Sequence, residues 1–193
     1  MMLAYQPQIY YTPAQYLALE KQAETRSEYH QGQIVAMAGA SFRHNQVVSN
    51  LQATLYQAIG SRNCNVFSSD LRVYIEADNR YTYPDLLVLC EPPQFVDERD
   101  DTINNPQIII EVLSKSTASL DRHEKFQAYW MLDSLKEYVL VDQYKMRVEY
   151  FRRVDETVWE LRVLTKPEQT LHLQSLDIDI PLSQIYRRVS WEA

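Results

Sequence analysis

Glycine is scarce in this chain, with three in 193 residues, and no motif for nucleotide hydrolysis, methyl transfer or guide binding is present. Cysteine is scarcer still. Cys64 and Cys90 show no paired metal-ligand spacing and are too few for a disulfide framework, so two reduced thiols packed as small apolar side chains are expected. No window approaches 18 uncharged apolar residues, so no membrane-spanning helix is expected. Met1 to Tyr10 lacks a basic start followed by an apolar run, so no secretory leader is expected either. These absences point to a soluble, cytoplasmic protein with no membrane partner. An excess of basic charge is also missing: 19 Lys and Arg stand against 26 Asp and Glu, a net charge of −7. That argues against a general polyanion-coating protein, whose binding is carried by basic surface, but leaves room for a local basic groove.

What is present suffices for a folded chain. Hydrophobic residues make up 46% and charged residues 23%, enough apolar surface to offset ordering entropy in a single domain over residues 1–193. Thr12, Pro13 and Gln15 form a capping-box start for a first helix. Ser27–His30 and Gln33–Met37 flank a Gln31-Gly32 turn and predict a hairpin. Ser41 predicts the cap of a longer helix ending at Gly60, with an inward stripe of Val48, Leu51, Leu55 and Ile59. His44 lies one turn earlier on that stripe. Strands are expected at Val66-Phe67, Leu71–Glu76 and Leu86–Leu89, the last opened by Tyr83-Pro84-Asp85. Residues 91–106 read as an acidic, Pro-containing surface loop and a candidate functional loop. Gln107–Leu113, rich in β-branched residues, predicts a central strand buried on both faces. A polar turn, Ser114–Ser119, leads to a helix from about Leu120 to Leu132 with Asp121, Lys125 and Tyr129 on one face. Strands follow at Lys136–Asp142, Met146–Arg153, Thr157–Leu164 and Leu176–Ile180, then a short helical tail at Ser183–Arg187. The order implies an α/β or α+β domain with a mixed sheet flanked by helices.

The chemical oddity is Glu111, a carboxylate inside the apolar run Ile108–Leu113. Ionised there, it is costly unless paired or metal-bound. Asp85 poses the same problem at the mouth of another apolar strand. Either Glu111 pairs with an Arg and Asp85 caps a turn after Pro84, or the two meet as an oxygen-rich site suited to Mg2+ or Mn2+.

Pro84-Asp85 followed some 25 residues later by Glu111-Val112-Leu113 resembles the PD-(D/E)XK nuclease superfamily. Arg26-Ser27-Glu28-Tyr29 with Gly32, Tyr83-Pro84-Asp85, and Ile110-Glu111-Val112-Leu113-Ser114 through Ser116-Thr117 and Asp121 to Lys125 and Tyr129 resemble the Uma-type restriction endonuclease family. Glu137-Tyr138 with Val141-Asp142 completes the likeness, which covers roughly Tyr11 to Ile185. It implies a restriction-endonuclease-like fold and a Mg2+-dependent (or Mn2+-dependent) endonuclease acting on DNA. Asp85, Glu111 and the Val112 carbonyl would hold the ion. The superfamily lysine would fall on Leu113 here; the resemblance instead carries it to Lys125 on the following helix. Lys115 competes, since residues 111, 113 and 115 share a face if the strand runs that far. Lys125 would orient the attacking water or neutralise charge at phosphorus, with Asp121 fixing its rotamer. Glu28 is either a further ligand or a turn-flanking surface residue. His44 is either a core histidine or a group beside the phosphate.

Gln127 and Tyr129 flank Lys125, Tyr129 as packing. Arg43, Arg62, Arg72 and Arg80 could line a groove, with solvated surface their default. Asp97–Asp101 is a solvated loop or a lid. The fourteen tyrosines do not identify a nucleic-acid platform. Two hypotheses remain: a metal-dependent nuclease, in which cutting both strands suggests a homodimer through Met146–Leu164, or a nuclease-fold protein without turnover, serving as a nucleic-acid-binding or protein-binding module.

Overall fold

The computed structural model describes residues 9–115, 118 and 121–191. Ser116, Thr117, Ser119 and Leu120, and with them the expected start of the third helix, lie outside the described residues, as does most of the Met1–Tyr10 segment. Helix α1 spans Pro13–Glu20, with the Thr12/Gln15 capping box closed in both directions. Strands β1 (Ser27–His30) and β2 (Gln33–Ala36) pair antiparallel. Gln31 and Gly32 both take positive φ, 47° and 95°, the turn geometry that matches hairpin twist. A side chain at Gly32 would also meet the Tyr10 ring at 2.7 Å. Helix α2 (Phe42–Ile59) starts at the Ser41 cap and ends at Gly60. Its fully buried stripe begins at Val47 rather than Val48, which is only partly buried.

β3 (Asn65–Ser68), β4 (Arg72–Ile75), β5 (Arg80–Thr82) and β6 (Leu86–Leu89) follow. The expected loop at 91–106 contains a short strand, β7 (Thr102–Ile103), paired parallel to β4. β8 (Ile108–Leu113) is wholly buried. A π-helical turn (Asp121–Lys125) runs into α3 (Phe126–Trp130), in place of one continuous α-helix. β9 (Glu137–Asp142), β10 (Val148–Arg153), β11 (Trp159–Leu164), β12 (Thr170–Leu173), β13 (Ile178–Pro181) and α4 (Leu182–Ile185) complete the chain. β12 escapes the sequence reading.

The strands form a six-stranded mixed sheet, β11-β10-β9-β8-β6-β3, a five-stranded sheet, β2-β1-β5-β4-β7, and the β12-β13 hairpin. This is a mixed α+β architecture. Even-numbered positions of β6 and β8 (Leu86, Val88, Ile108, Ile110, Val112) pack under α2, β12-β13 and α4. Odd-numbered ones (Leu87, Leu89, Ile109, Leu113) meet α3 together with Val73, Ile75 and Ile103 of the five-stranded sheet. The opposite face of that sheet packs against Tyr16 of α1, with the Tyr29 ring stacked on it and the Tyr81 ring tilted. Each core Leu or Ile so buried stabilises by roughly 1.5–3 kcal/mol.

The expectations for the two cysteines and for Arg72 and Arg80 need correction. Cys64 and Cys90 are joined as a disulfide. β3 pairs β6 with Asn65 opposite Leu89, so one further residue along the same register puts the two cysteines face to face. Arg72 is 2% exposed and bound to Asp101 and Thr102, not solvated. In the acidic run Asp97, Glu98 and Asp100 are exposed, as expected of a solvated loop, while Asp101 at its end is clamped by Arg72 and Arg99. Arg80 is buried on Asp78. Among the described residues no helix is long and apolar enough to cross a membrane.

Candidate active site

β6 and β8 are antiparallel with Leu86 opposite Ile110; extended by one residue, the register sets Asp85 opposite Glu111. Directly opposed residues project to the same face of a sheet, here the face turned toward α3 and the five-stranded sheet. The two segments are also tied reciprocally. The Asp85 N–H donates to Glu111 Oε2 at 3.2 Å, and the Val112 N–H donates to Asp85 Oδ2 at 2.7 Å.

The side chains above them come from other elements. Lys125, on the π-helical turn, is 5% exposed. Its Nζ lies 2.9 Å from Glu28 Oε1, 3.4 Å from Glu111 Oε1 and 3.4 Å from Asp121 Oδ1. Glu28 arrives from β1 on the face opposite Tyr29, and accepts from the Thr82 hydroxyl at 2.5 Å and the Tyr83 N–H at 3.2 Å. Tyr129, one turn beyond Lys125, donates to Glu111 Oε1 at 3.0 Å and lies 3.2 Å from the Thr82 hydroxyl. α2 packs on the other face of the six-stranded sheet, and its first turn brings His44 Nε2 to 3.0 Å from Asp85 Oδ2. His44 Nδ1 is buried and has no hydrogen-bond partner among the described residues.

Charge explains the titration. Three carboxylates share one ammonium, so the cluster is short of positive charge. Burial pushes Glu111 up to about 8, against the pull of Lys125 and reinforced by Asp121, Asp85 and Glu28. Burial acts the same way on Glu28, but Lys125, Thr82 and the Tyr83 N–H together hold it below the usual carboxylate range. Burial would lower Lys125, yet Glu111, Glu28 and Asp121 raise it well above the ordinary lysine value. Burial and the neighbouring Glu111 carry Tyr129 upward as well.

Asp85, Glu111, Lys125, Glu28, His44 and Asp121 are therefore one contiguous cluster, to which sequence reasoning adds too little at two places. Tyr129 is a hydrogen-bond donor to Glu111 rather than packing alone, and Thr82 links Glu28 to Tyr129. The hydroxyl on the Asp121–Lys125–Tyr129 face was the available signal for the first; Thr82 offered none. Lys115 is exposed and sits over the Tyr144 ring. Gln127 faces solvent. Among the described residues no three His, Cys, Asp or Glu side chains are gathered as a ready cation cage. The donor chemistry still suits a hard divalent cation: two opposed carboxylates on rigid strands, in a site whose excess negative charge a cation would relieve.

The chain matches a family model described as "Uma2: Putative restriction endonuclease" over residues 13–183. It is 42% identical over 153 residues to "Uncharacterized protein sll1609" of Synechocystis, covering 79% of this chain and 86% of that one. A second Synechocystis relative, "Uncharacterized protein slr1290", is 30% identical over 182 residues, 93% of each chain. In fold it resembles a crystal structure titled as a putative nuclease belonging to DUF820 from Anabaena variabilis, with a TM-score of 0.75, 19% identity, and coverage of 91% of this chain and 97% of that one.

Proposed function

This chain belongs to the Uma2 restriction endonuclease family, and from that premise we propose that it hydrolyses DNA phosphodiester bonds in a Mg2+-dependent or Mn2+-dependent reaction at the Asp85–Glu111–Lys125 cluster. One observation carries the reading: Asp85 and Glu111 stand opposite each other on one sheet face with the Lys125 ammonium 3.4 Å from Glu111. Asp85 and Glu111, with the Val112 carbonyl, would hold the cation. Bound there, it would polarise the phosphate and lower the pKa of an attacking water.

The chain's own groups have separable tasks. The Val112 N–H and His44 orient the Asp85 carboxylate, while the Asp85 N–H and the Tyr129 hydroxyl orient Glu111. Glu28 and Asp121 steer the Lys125 ammonium into the cluster, where it neutralises charge growing on the phosphoryl oxygens. Glu28 serves as a lysine anchor in this arrangement. Packing Tyr129 and the two sheets around the cluster keeps bulk water from the ammonium and strengthens each interaction. Cutting both strands calls for two sites, which a homodimer would supply. β11, an outer strand of the six-stranded sheet with Leu161 and Val163 exposed, is the edge offered for pairing.

The net charge of −7 favours a second reading, in which the fold is kept for binding without turnover. Supercoiled plasmid incubated with the protein and Mg2+ or Mn2+ separates them. Relaxation or linearisation that disappears in Asp85→Ala and Glu111→Ala supports hydrolysis. An inert wild type, or nicking that persists in both variants, rejects it at this site.

A further inference from the structure

The five-stranded sheet carries a second structured feature beside the cluster. On its face opposite Tyr29 and Tyr81, the register aligns Val35, Glu28 and Thr82 in one row and Gln33, His30 and Arg80 in the next. The rows are two residues apart, about 7 Å along the strands. Glu28 and Thr82 belong to the cluster. The second row opens into a recess of about 130 Å3 lined by Glu28, His30, Gln33, Val35, Arg80 and Glu124. That is at least about four waters' worth of space, the bulk of a single ring system and too little for a base pair.

Its floor is built rather than incidental. Arg80 is 5% exposed, and its Nε is fixed by Asp78 Oδ2 at 2.7 Å. Among the described residues its two terminal guanidinium nitrogens have no hydrogen-bond partner, yet the side chain lines the recess. Asp78 also holds His30 Nε2 at 3.4 Å. Gln33 and the 55%-exposed Val35 form the rim.

We propose that this recess receives one unpaired nucleobase of the nucleotide next to the phosphate engaged at the cluster, and so gives the protein a base preference there. A neutral base fits better than a phosphate. Asp78 already offsets the Arg80 charge, and the Glu28 and Glu124 carboxylates on the lining would repel an anion. A planar guanidinium gives a base both a stacking surface and paired donors, the Gln33 amide offers a donor and an acceptor, and Val35 offers apolar contact. The recess admits one ring system only, so the base must be single-stranded or turned out of a duplex, at a cost of a few kcal/mol. The row spacing puts it within one nucleotide's reach of the cluster. This inference rests on the nuclease reading for what occupies the cluster, but binding tests it without turnover.

The test is fluorescence anisotropy with 5′-labelled single-stranded deoxy-12-mers in EDTA, each carrying one abasic position. Stacking on the recess predicts that a single abasic position weakens wild-type binding roughly tenfold, and that Val35→Trp, which fills the recess, erases that dependence. Gln33→Ala should change which base is preferred there. No binding by the wild type, no sensitive position, or sensitivity that survives Val35→Trp overturns the inference. Neither variant touches Asp85, Glu111 or Lys125, so any Mn2+-induced thermal shift serves as a folding control. Base-dependent binding without plasmid cleavage would keep the recess and reject hydrolysis; plasmid cleavage without base-dependent binding would do the reverse.

Discussion

A single ammonium, that of Lys125, stands against the carboxylates of Glu28, Glu111 and Asp121. Removing it strands buried negative charge, so Lys125→Met is expected to cost about 3 kcal/mol or more and to abolish cleavage; urea denaturation and the plasmid assay read the two effects separately. Glu111 gives a pH prediction. Its value in the folded protein, about 8, lies above its ordinary 4.5, so between those values the native state keeps a proton that the unfolded state loses. The stabilisation tied to that proton is fully present below about pH 4.5 and is lost as pH rises toward 8. Glu111→Gln should therefore flatten the fall of stability with pH across that window, measured as urea midpoints; parallel wild-type and variant curves would contradict it. Asp85 and Glu111 were legible in the sequence because acids interrupt or open apolar runs. The partners of Arg72 and Arg80 were not, since Asp101 and Asp78 lie in turns whose approach to those side chains depends on the folded sheet.

At the scale of elements, capping residues and hydrophobic period located α1, α2 and the long strands, because each is set by local chemistry. β7 was hidden in a loop composition and exists only because β4 lies beside it. β12 is four residues long, Thr170–Leu173, but its alternating exposed and buried pattern was a signal that could have been read. The Cys64–Cys90 crosslink depends on register, which spacing alone does not disclose. It ties the outer strand β3 to β6, the strand that Asp85 introduces. With the cysteines 26 positions apart in sequence, Cys64→Ser is expected to lower stability by roughly 3 kcal/mol. Thermal unfolding should then be insensitive to dithiothreitol in the variant and sensitive in the wild type. Tyr129→Phe keeps the ring that packs on Tyr138 while deleting its bond to Glu111, a loss of about 1–2 kcal/mol.

Across the whole molecule, the site lies where two sheets meet, and that explains its make-up. The six-stranded sheet supplies Asp85 and Glu111, the five-stranded sheet supplies Glu28 and Thr82, and the turn between β8 and α3 supplies Lys125. No one segment contains the site, so the family likeness in scattered motifs marked it before any sheet order was known. A homodimer through β11 would appear as twice the chain mass in sedimentation equilibrium, and Leu161→Lys would return it to a monomer. The most direct test of the central claim is a calorimetric titration with Mn2+. One ion per chain should bind, more tightly as pH passes through about 8 and Glu111 ionises, and binding should vanish in both Asp85→Ala and Glu111→Ala. A wild type indifferent to Mn2+, or affinity unchanged in both variants, would contradict the account.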